Sequence, residues 1–306
     1  MTDASGILVV DKAAGATSFD AVALARRRLG VRRIGHAGTL DPPATGVLPL
    51  LVGEATKLTP YLMDQDKEYV AIIRFGVTTD TQDLSGRVLS ETPVTGLTRA
   101  RVESAAGAFV GRITQVPPMY SAIHHEGRRL YELAREGLEV ERAPREVLVV
   151  GIEVQDVGAA SATLRIVCGK GTYVRALAAD LGAALGWGAA VERLARTRVG
   201  PFALRDAVAW AELEDGAVTD LWPRVLPLDA ALTHWPSARL DASGAKRFRH
   251  GQAADVAPPV PAGGLVRVYD QTGALLGVGE ADATGRSVRP VRMVHADHPG
   301  TSVRPA

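Results

Sequence analysis

One acid, Asp41, stands in a segment whose composition suits it to presentation on a loop. Gly35 to Gly53 reads Gly-His-Ala-Gly-Thr-Leu-Asp-Pro-Pro-Ala-Thr-Gly-Val-Leu-Pro-Leu-Leu-Val-Gly. Glycine frees the backbone and proline fixes φ while removing a donor, so the stretch around Asp41 is neither helix nor ordinary strand. A carboxylate held there can act as a nucleophile or general base, although an Asp before Pro is also a common turn starter. Directly downstream, Val47 to Val52 is an apolar run broken only by Pro49, which predicts a short buried or edge strand anchoring the loop. Five arginines, Arg26, Arg27, Arg28, Arg32 and Arg33, fall within eight residues just upstream. Singly each is a solvated helix end; clustered beside a candidate reactive acid they point to phosphate binding.

A second stretch mixes cations with rings: Tyr120, His124, His125, Arg128, Arg129, Tyr131 and Arg135. That mixture suits a loop and helix lying against folded RNA, with cations on phosphates and rings on exposed bases. The paired histidines lack a third ligand at metal spacing, and Ser121 with His124 lacks the nucleophile elbow of a hydrolase. Gly169-Lys170-Gly171-Thr172 opens a helix but not with Walker spacing, which argues against nucleotide hydrolysis. Arg175 follows in the first turn of that helix, where the dipole disfavours a cation, so it needs a partner.

The elements that must position these groups are legible in outline. Gly6 to Val10 reads as a buried strand ended by Asp11-Lys12, and a helix capped by Thr17, with Asp20 in its first turn, runs to Gly30. Glu54 to Asp64 reads as a short helix, Lys67 to Phe75 as a strand and Thr98 to Phe109 as an amphipathic helix. A strand begins at Gly111, and Val147 to Val157 and Ala162 to Cys168 form a pair. A helix follows to about Leu185, then Val191 to Val199 as a strand and Ala207 to Leu213 as a last short helix. Beyond a boundary near His234 to Pro236, Leu265 to Asp270, Gly273 to Gly277 and Ser287 to Val294 read as short strands of a small β-rich module.

At 306 residues and 46% hydrophobic content the chain has material for an ample core and two domains. Thirty-five basic against 34 acidic residues leave a formal charge of +1, so any nucleic-acid surface is local. A single cysteine, Cys168, excludes an intramolecular disulfide, and with no basic-plus-apolar leader the expected compartment is the reducing cytoplasm. No apolar run reaches membrane-spanning length.

Four segments carry a family resemblance. They are Gly35 to Leu58 (GHAGTLDPPATGVLPLLVGEATKL), the Val-Val-Asp-Lys-Ala-Ala-Gly around Lys12, the Thr-Asp-Thr turn leading to Asp83, and Gly171-Thr172-Tyr173-Val174-Arg175. Together they resemble the bacterial tRNA pseudouridine-55 synthases of the TruB type, with Ala37 and Pro43 where members often have Thr and Leu. The resemblance implies an α+β pseudouridine synthase core, a mixed, mainly antiparallel sheet flanked by helices over 1–234, and a PUA-like RNA-binding domain over 235–306. It makes Asp41 the nucleophile, Tyr69 the stacking partner of the target base and a candidate acid/base, and Arg175 the partner of Asp41. His36 would fill the space left by the flipped base, Lys12 would support the active-site region, and Leu194 would pack by the base pocket. Asp83 would lie near substrate, with Arg32, Arg33, Arg128 and Arg129 on the RNA. Residues 117–143 match a mobile thumb insertion. The implied substrate is the T-arm of tRNA, with no cofactor, metal, guide RNA or protein partner, in a monomer. A protein that binds or folds RNA without catalysis is the competing reading.

Overall fold

The computed structural model describes residues 5–295 and divides into two compact units. The first comprises the chain up to Pro42, Gly46–Asp64 and everything from Val199; the second comprises Pro43–Thr45 and Gln65–Arg198.

In chain order the elements used below are β1 (Gly6–Lys12), α1 (Ser18–Leu29), β2 (Ile34–His36), β3 (Thr45–Val52), β4 (Lys67–Phe75), β5 (Gly111–Gln115), β6 (Arg145–Val157) and β7 (Ser161–Cys168). They continue with α2 (Val174–Ala184), β8 (Ala189–Val199), β9 (Val208–Ala209), β10 (Ser237–Arg239) and α3 (Ala242–Arg249), then β11 (Ala254–Asp255), β12 (Leu265–Tyr269), β13 (Leu275–Ala281) and β14 (Ser287–Met293).

In the first unit β3 lies between β1 and β2, antiparallel to both, and β9 adds to the far edge of β1 in parallel. β1 reads as a continuous apolar run because it is buried along nearly its whole length, and it extends two residues further than its sequence suggests. Lys12 is its last residue, paired with Gly46. Gly6 is required at the start of β1, since a Cβ there would sit 2.4 Å from the carbonyl oxygen of Leu226. α1 starts and stops where its chemistry dictates. The Thr17 hydroxyl accepts from the Asp20 N–H and the Asp20 carboxylate accepts from the Thr17 N–H, closing a capping box, and Gly30 ends the helix at φ 68°.

The Glu54–Asp64 segment is not one helix. A 3-10 stretch, Gly53–Leu58, runs into a short α-helix, Thr59–Met63, with Pro60 in its first turn. The helix expected at Ala207 to Leu213 is Trp210–Asp215, because residues 208 and 209 are spent pairing with β1, and it is not the last, since Val218–Leu221 and α3 follow.

The C-terminal strands form their own five-stranded sheet in the order β10-β12-β13-β14-β11, with α3 packed on it through Phe248. The strand expected at Gly273 to Gly277 begins instead at Leu275, since Gly273 occupies a left-handed turn at φ 87°. One face of this sheet continues the core of the first unit. Leu275, Val278 and Val294 cluster with Ile7, Val9 and Leu51, and Tyr61 meets Trp235 edge-on at 5.1 Å.

The second unit carries the strand order β8-β4-β7-β6-β5, antiparallel from β4 to β5. α2 packs on it through Leu177, Ala178 and Leu181. The 117–143 stretch has a small core of its own, Met119, Leu130 and Leu133, beneath a two-residue hairpin, His124–His125 with Arg128–Arg129. Among the described residues no helix is long and apolar enough to cross a membrane.

Candidate active site

Asp41 lies on the loop between β2 and β3, partly exposed, and its two chain neighbours are tied down. The Ser18 hydroxyl, at the start of α1, accepts the Leu40 N–H at 2.8 Å and donates to the Leu40 carbonyl at 3.1 Å. On the other side the Pro42 carbonyl accepts the Gly15 N–H at 2.8 Å and the Lys12 ammonium at 3.2 Å. Lys12 is wholly buried and donates further to the carbonyls of Ala13 and Ala16, so it is an internal anchor and not a surface lysine. A buried ammonium is tolerated only when its donors are taken up, and here backbone oxygens take them. Gly38 at φ 101° lies in the bend after β2 and Gly46 at φ 103° near the start of β3, positive φ values that glycine adopts without strain. The carboxylate is therefore held by backbone fixed on both sides, as preorganisation requires.

His36 ends β2 opposite Leu50, half-buried. Of the arginines upstream, Arg27 and Arg32 are exposed, Arg26 donates to the Ile34 carbonyl at 2.8 Å, and Arg33 is engaged with Glu54 at 3.0 Å. Burial raises the Glu54 carboxyl, but Lys57, the His295 N–H and Arg33 outweigh it and leave the group below its ordinary value.

In the second unit the organising group is Arg175. It occupies the first turn of α2 and is 4% exposed. Its two terminal nitrogens donate to the carbonyls of Thr81 at 2.8 Å and Tyr120 at 2.7 Å, and its Nε lies 3.9 Å from Asp83 Oδ2. These contacts meet the need for a partner that its place in the dipole creates. Asp83 is itself buried, and its other oxygen accepts from the Thr81 hydroxyl and from the Ser85 N–H and hydroxyl. The loop around it docks on β8, since Val191 donates to the Gln82 carbonyl and Leu84 donates back to Val191. Tyr69 on β4, opposite Ile166, and Leu194 on β8 pack partly buried against the core cluster formed by β4, β7 and α2. Arg128 pairs with Glu136 across the hairpin segment, and the exposed Arg129 lies 6.0 Å from the Tyr131 ring.

Two supporting residues had no sequence signal. Ser18 reads as an ordinary first-turn serine, and its bond to Leu40 spans 22 residues. Gln115, on β5, holds both backbone groups of Tyr173, accepting its N–H at 3.0 Å and donating to its carbonyl at 3.3 Å. The sequence offers no periodicity that would pair either residue with its partner. No group of three or more metal-ligating side chains assembles among the described residues.

Three family models cover most of the chain: the TruB family pseudouridylate synthase N-terminal domain over 26–174, the tRNA pseudouridylate synthase B C-terminal domain over 175–233, and the pseudouridine synthase II TruB C-terminal model over 236–294. The chain is 44% identical over 299 residues to the tRNA pseudouridine synthase B of Stutzerimonas stutzeri, covering 96% of this chain and 97% of that protein. It is 46% identical over 289 residues to that of Dechloromonas aromatica, covering 94% and 95%. Among solved structures it resembles the crystal structure of a Cbf5–Nop10–Gar1 complex, with a TM-score of 0.71 and 26% identity over 95% of this chain and 84% of that one. Another is the structure of an H/ACA RNP bound to a substrate RNA containing 2'-deoxyuridine, at 0.70 and 25% over 95% and 85%. The family matches, these relatives and the fold thus define a pseudouridine synthase, an isomerase that modifies RNA. This chain belongs to the TruB family of pseudouridylate synthases.

Proposed function

We propose that the chain converts uridine 55 in the T-loop of tRNA to pseudouridine, with Asp41 as the nucleophile. The observation that carries the reading is the loop itself: the acid at the family's Gly-Thr-Leu-Asp-Pro position is flanked by residues whose backbone is clamped by Ser18, Gly15 and Lys12. The reaction breaks the bond from ribose C1' to uracil N1, turns the base and joins C1' to C5. The C5 proton leaves and N1 gains one, so no electrons are exchanged with any other group. Asp41 attacks C1', assists proton loss from C2' or adds to uracil C6; each route uses the ionised carboxylate.

The target base lies inside a folded loop and must be flipped out, at a cost that stacking on Tyr69 offsets. In this reading Arg175 partners the Asp41 carboxylate, His36 fills the vacated place in the RNA, Leu194 borders the base and Asp83 stands near substrate. Arg32, Arg33, Arg128 and Arg129 meet phosphates. Residues 1–234 form the catalytic domain and 235–306 a PUA-like RNA-binding domain. The enzyme works in the cytoplasm as a monomer, on its own, without guide RNA or cofactor.

The test is tritium release from tRNA labelled at uracil C5. Release with wild type, and its loss in Asp41→Asn with RNA affinity retained, is the expected pair of results. Failure of both tRNA and a T-arm stem-loop to react overturns the proposal. Full activity in Asp41→Asn removes the acid from the mechanism.

A further inference from the structure

Phe19 is the only exposed phenylalanine, tyrosine or tryptophan among the described residues, at 65% of its surface. A single exposed apolar residue is commonplace, so exposure alone assigns it nothing. Its surroundings do. Ser18, its neighbour, is the residue whose hydroxyl holds both backbone groups of Leu40, next to Asp41. Adding the Cα steps to that hydrogen bond places the Cα atoms of Phe19 and Asp41 no more than about 14 Å apart. Along the solvent face of α1, Phe19 is followed by exposed Ala23, Arg26 and Arg27, at the helical spacings that share one side. The Arg26 guanidinium lies 6.0 Å from the centre of the Phe19 ring. The one exposed acid in this turn, Asp20, is occupied by the Thr17 N–H and hydroxyl within the helix cap. An open ring beside the Arg26 guanidinium, with the adjacent Asp20 carboxylate bonded into the helix cap, has the character of a stacking platform for nucleic acid rather than of a protein-packing surface.

We infer that Phe19 stacks on an unpaired base of the bound RNA, one or a few nucleotides from the one over Asp41, with Arg26 and Arg27 on the adjoining phosphates. This rests on the RNA substrate of the proposed function. Phe19 is a positioning residue: it touches RNA but not the reacting atoms.

The test compares Phe19→Ala, Phe19→Leu, Phe19→Tyr and Phe19→Trp in the full chain, using a T-arm stem-loop for both Kd and tritium release. Truncation and the aliphatic variant are expected to raise KM and Kd roughly fivefold or more, the range one lost stacked base corresponds to, with kcat changed less than twofold. Tyr and Trp variants are expected to restore wild-type values, and the extra fluorescence of Phe19→Trp over wild type is expected to be quenched on RNA binding. Unchanged Kd and KM in Phe19→Ala, or full function in Phe19→Leu, overturns the stacking role. Since the side chain is exposed, thermal midpoints within about 2 °C of wild type verify that no variant is misfolded. An inactive wild type would refute the function proposed above, whereas an active wild type with indifferent Phe19 variants refutes this inference alone.

Discussion

The Lys12 ammonium, buried in the first unit, donates to the Pro42 carbonyl 30 residues along the chain and so ties the end of β1 to the residue after Asp41. Lys12→Met keeps the apolar stem and removes the donor that the carbonyls of Ala13 and Ala16 accept, while the Pro42 carbonyl keeps only the Gly15 N–H. Removing the ammonium's bonds to these carbonyls is expected to cost about 1–3 kcal/mol in urea denaturation. Isomerisation is expected to fall with it, through kcat more than KM, because the acid loses its fixed place.

Ser18→Ala tests the other side of the same loop. The substitution keeps the helix start, which Thr17 caps, and deletes both bonds to Leu40. A destabilisation of about 1–3 kcal/mol is expected, with kcat reduced about tenfold or more. Unaltered kinetics in a destabilised protein would show that this clamp serves folding alone.

Arg175→Lys retains the charge and loses the fork. An ammonium cannot reach the carbonyls of Thr81 and Tyr120 and the Asp83 carboxylate in the geometry a guanidinium does. A fall of about a hundredfold in kcat is expected. Limited proteolysis is the second readout: with the tether to Tyr120 broken, cleavage within 117–143 is expected to quicken relative to wild type.

Salt dependence reports the arginine-rich surface. Arg27→Gln and Arg32→Gln are each expected to weaken stem-loop binding and to reduce the slope of log K against log salt by up to about 1 for each phosphate no longer neutralised. Arg33→Gln is expected to change the slope less, since that side chain is already engaged with Glu54.

Cys168 is buried on β7, and desolvation pushes its thiol up to about 11, with the Thr172 hydroxyl opposing. A raised thiol pKa stabilises the fold below the ordinary value of 9.0, and this contribution is lost as pH rises through about 11. At pH 8 alkylation of native protein is expected to be at least about a hundredfold slower than in urea, from thiolate fraction alone. Equal rates in the two states would place the thiol in open solvent.

Much of this protein was determined by the sequence on its own, wherever the deciding contacts are local. Thr17 and Asp20 are three residues apart, so their capping box is written in the chain, as is Gly30, whose missing Cβ permits the left-handed end of α1. The alternation of Lys67–Phe75 marks a strand with the bounds observed, and the glycines and prolines around Asp41 mark a loop that the structure contains. The tertiary structure decided what crosses long separations. Lys12 is a buried anchor, Ser18 reaches Leu40, Gln115 reaches Tyr173 and Arg175 gathers Thr81, Tyr120 and Asp83. Helix and strand periods and caps depend on neighbours a few residues away, and they show in composition and spacing. A hydrogen bond across 22 or 58 residues depends on how elements stack, and a lone serine or glutamine carries no mark of the partner it will meet.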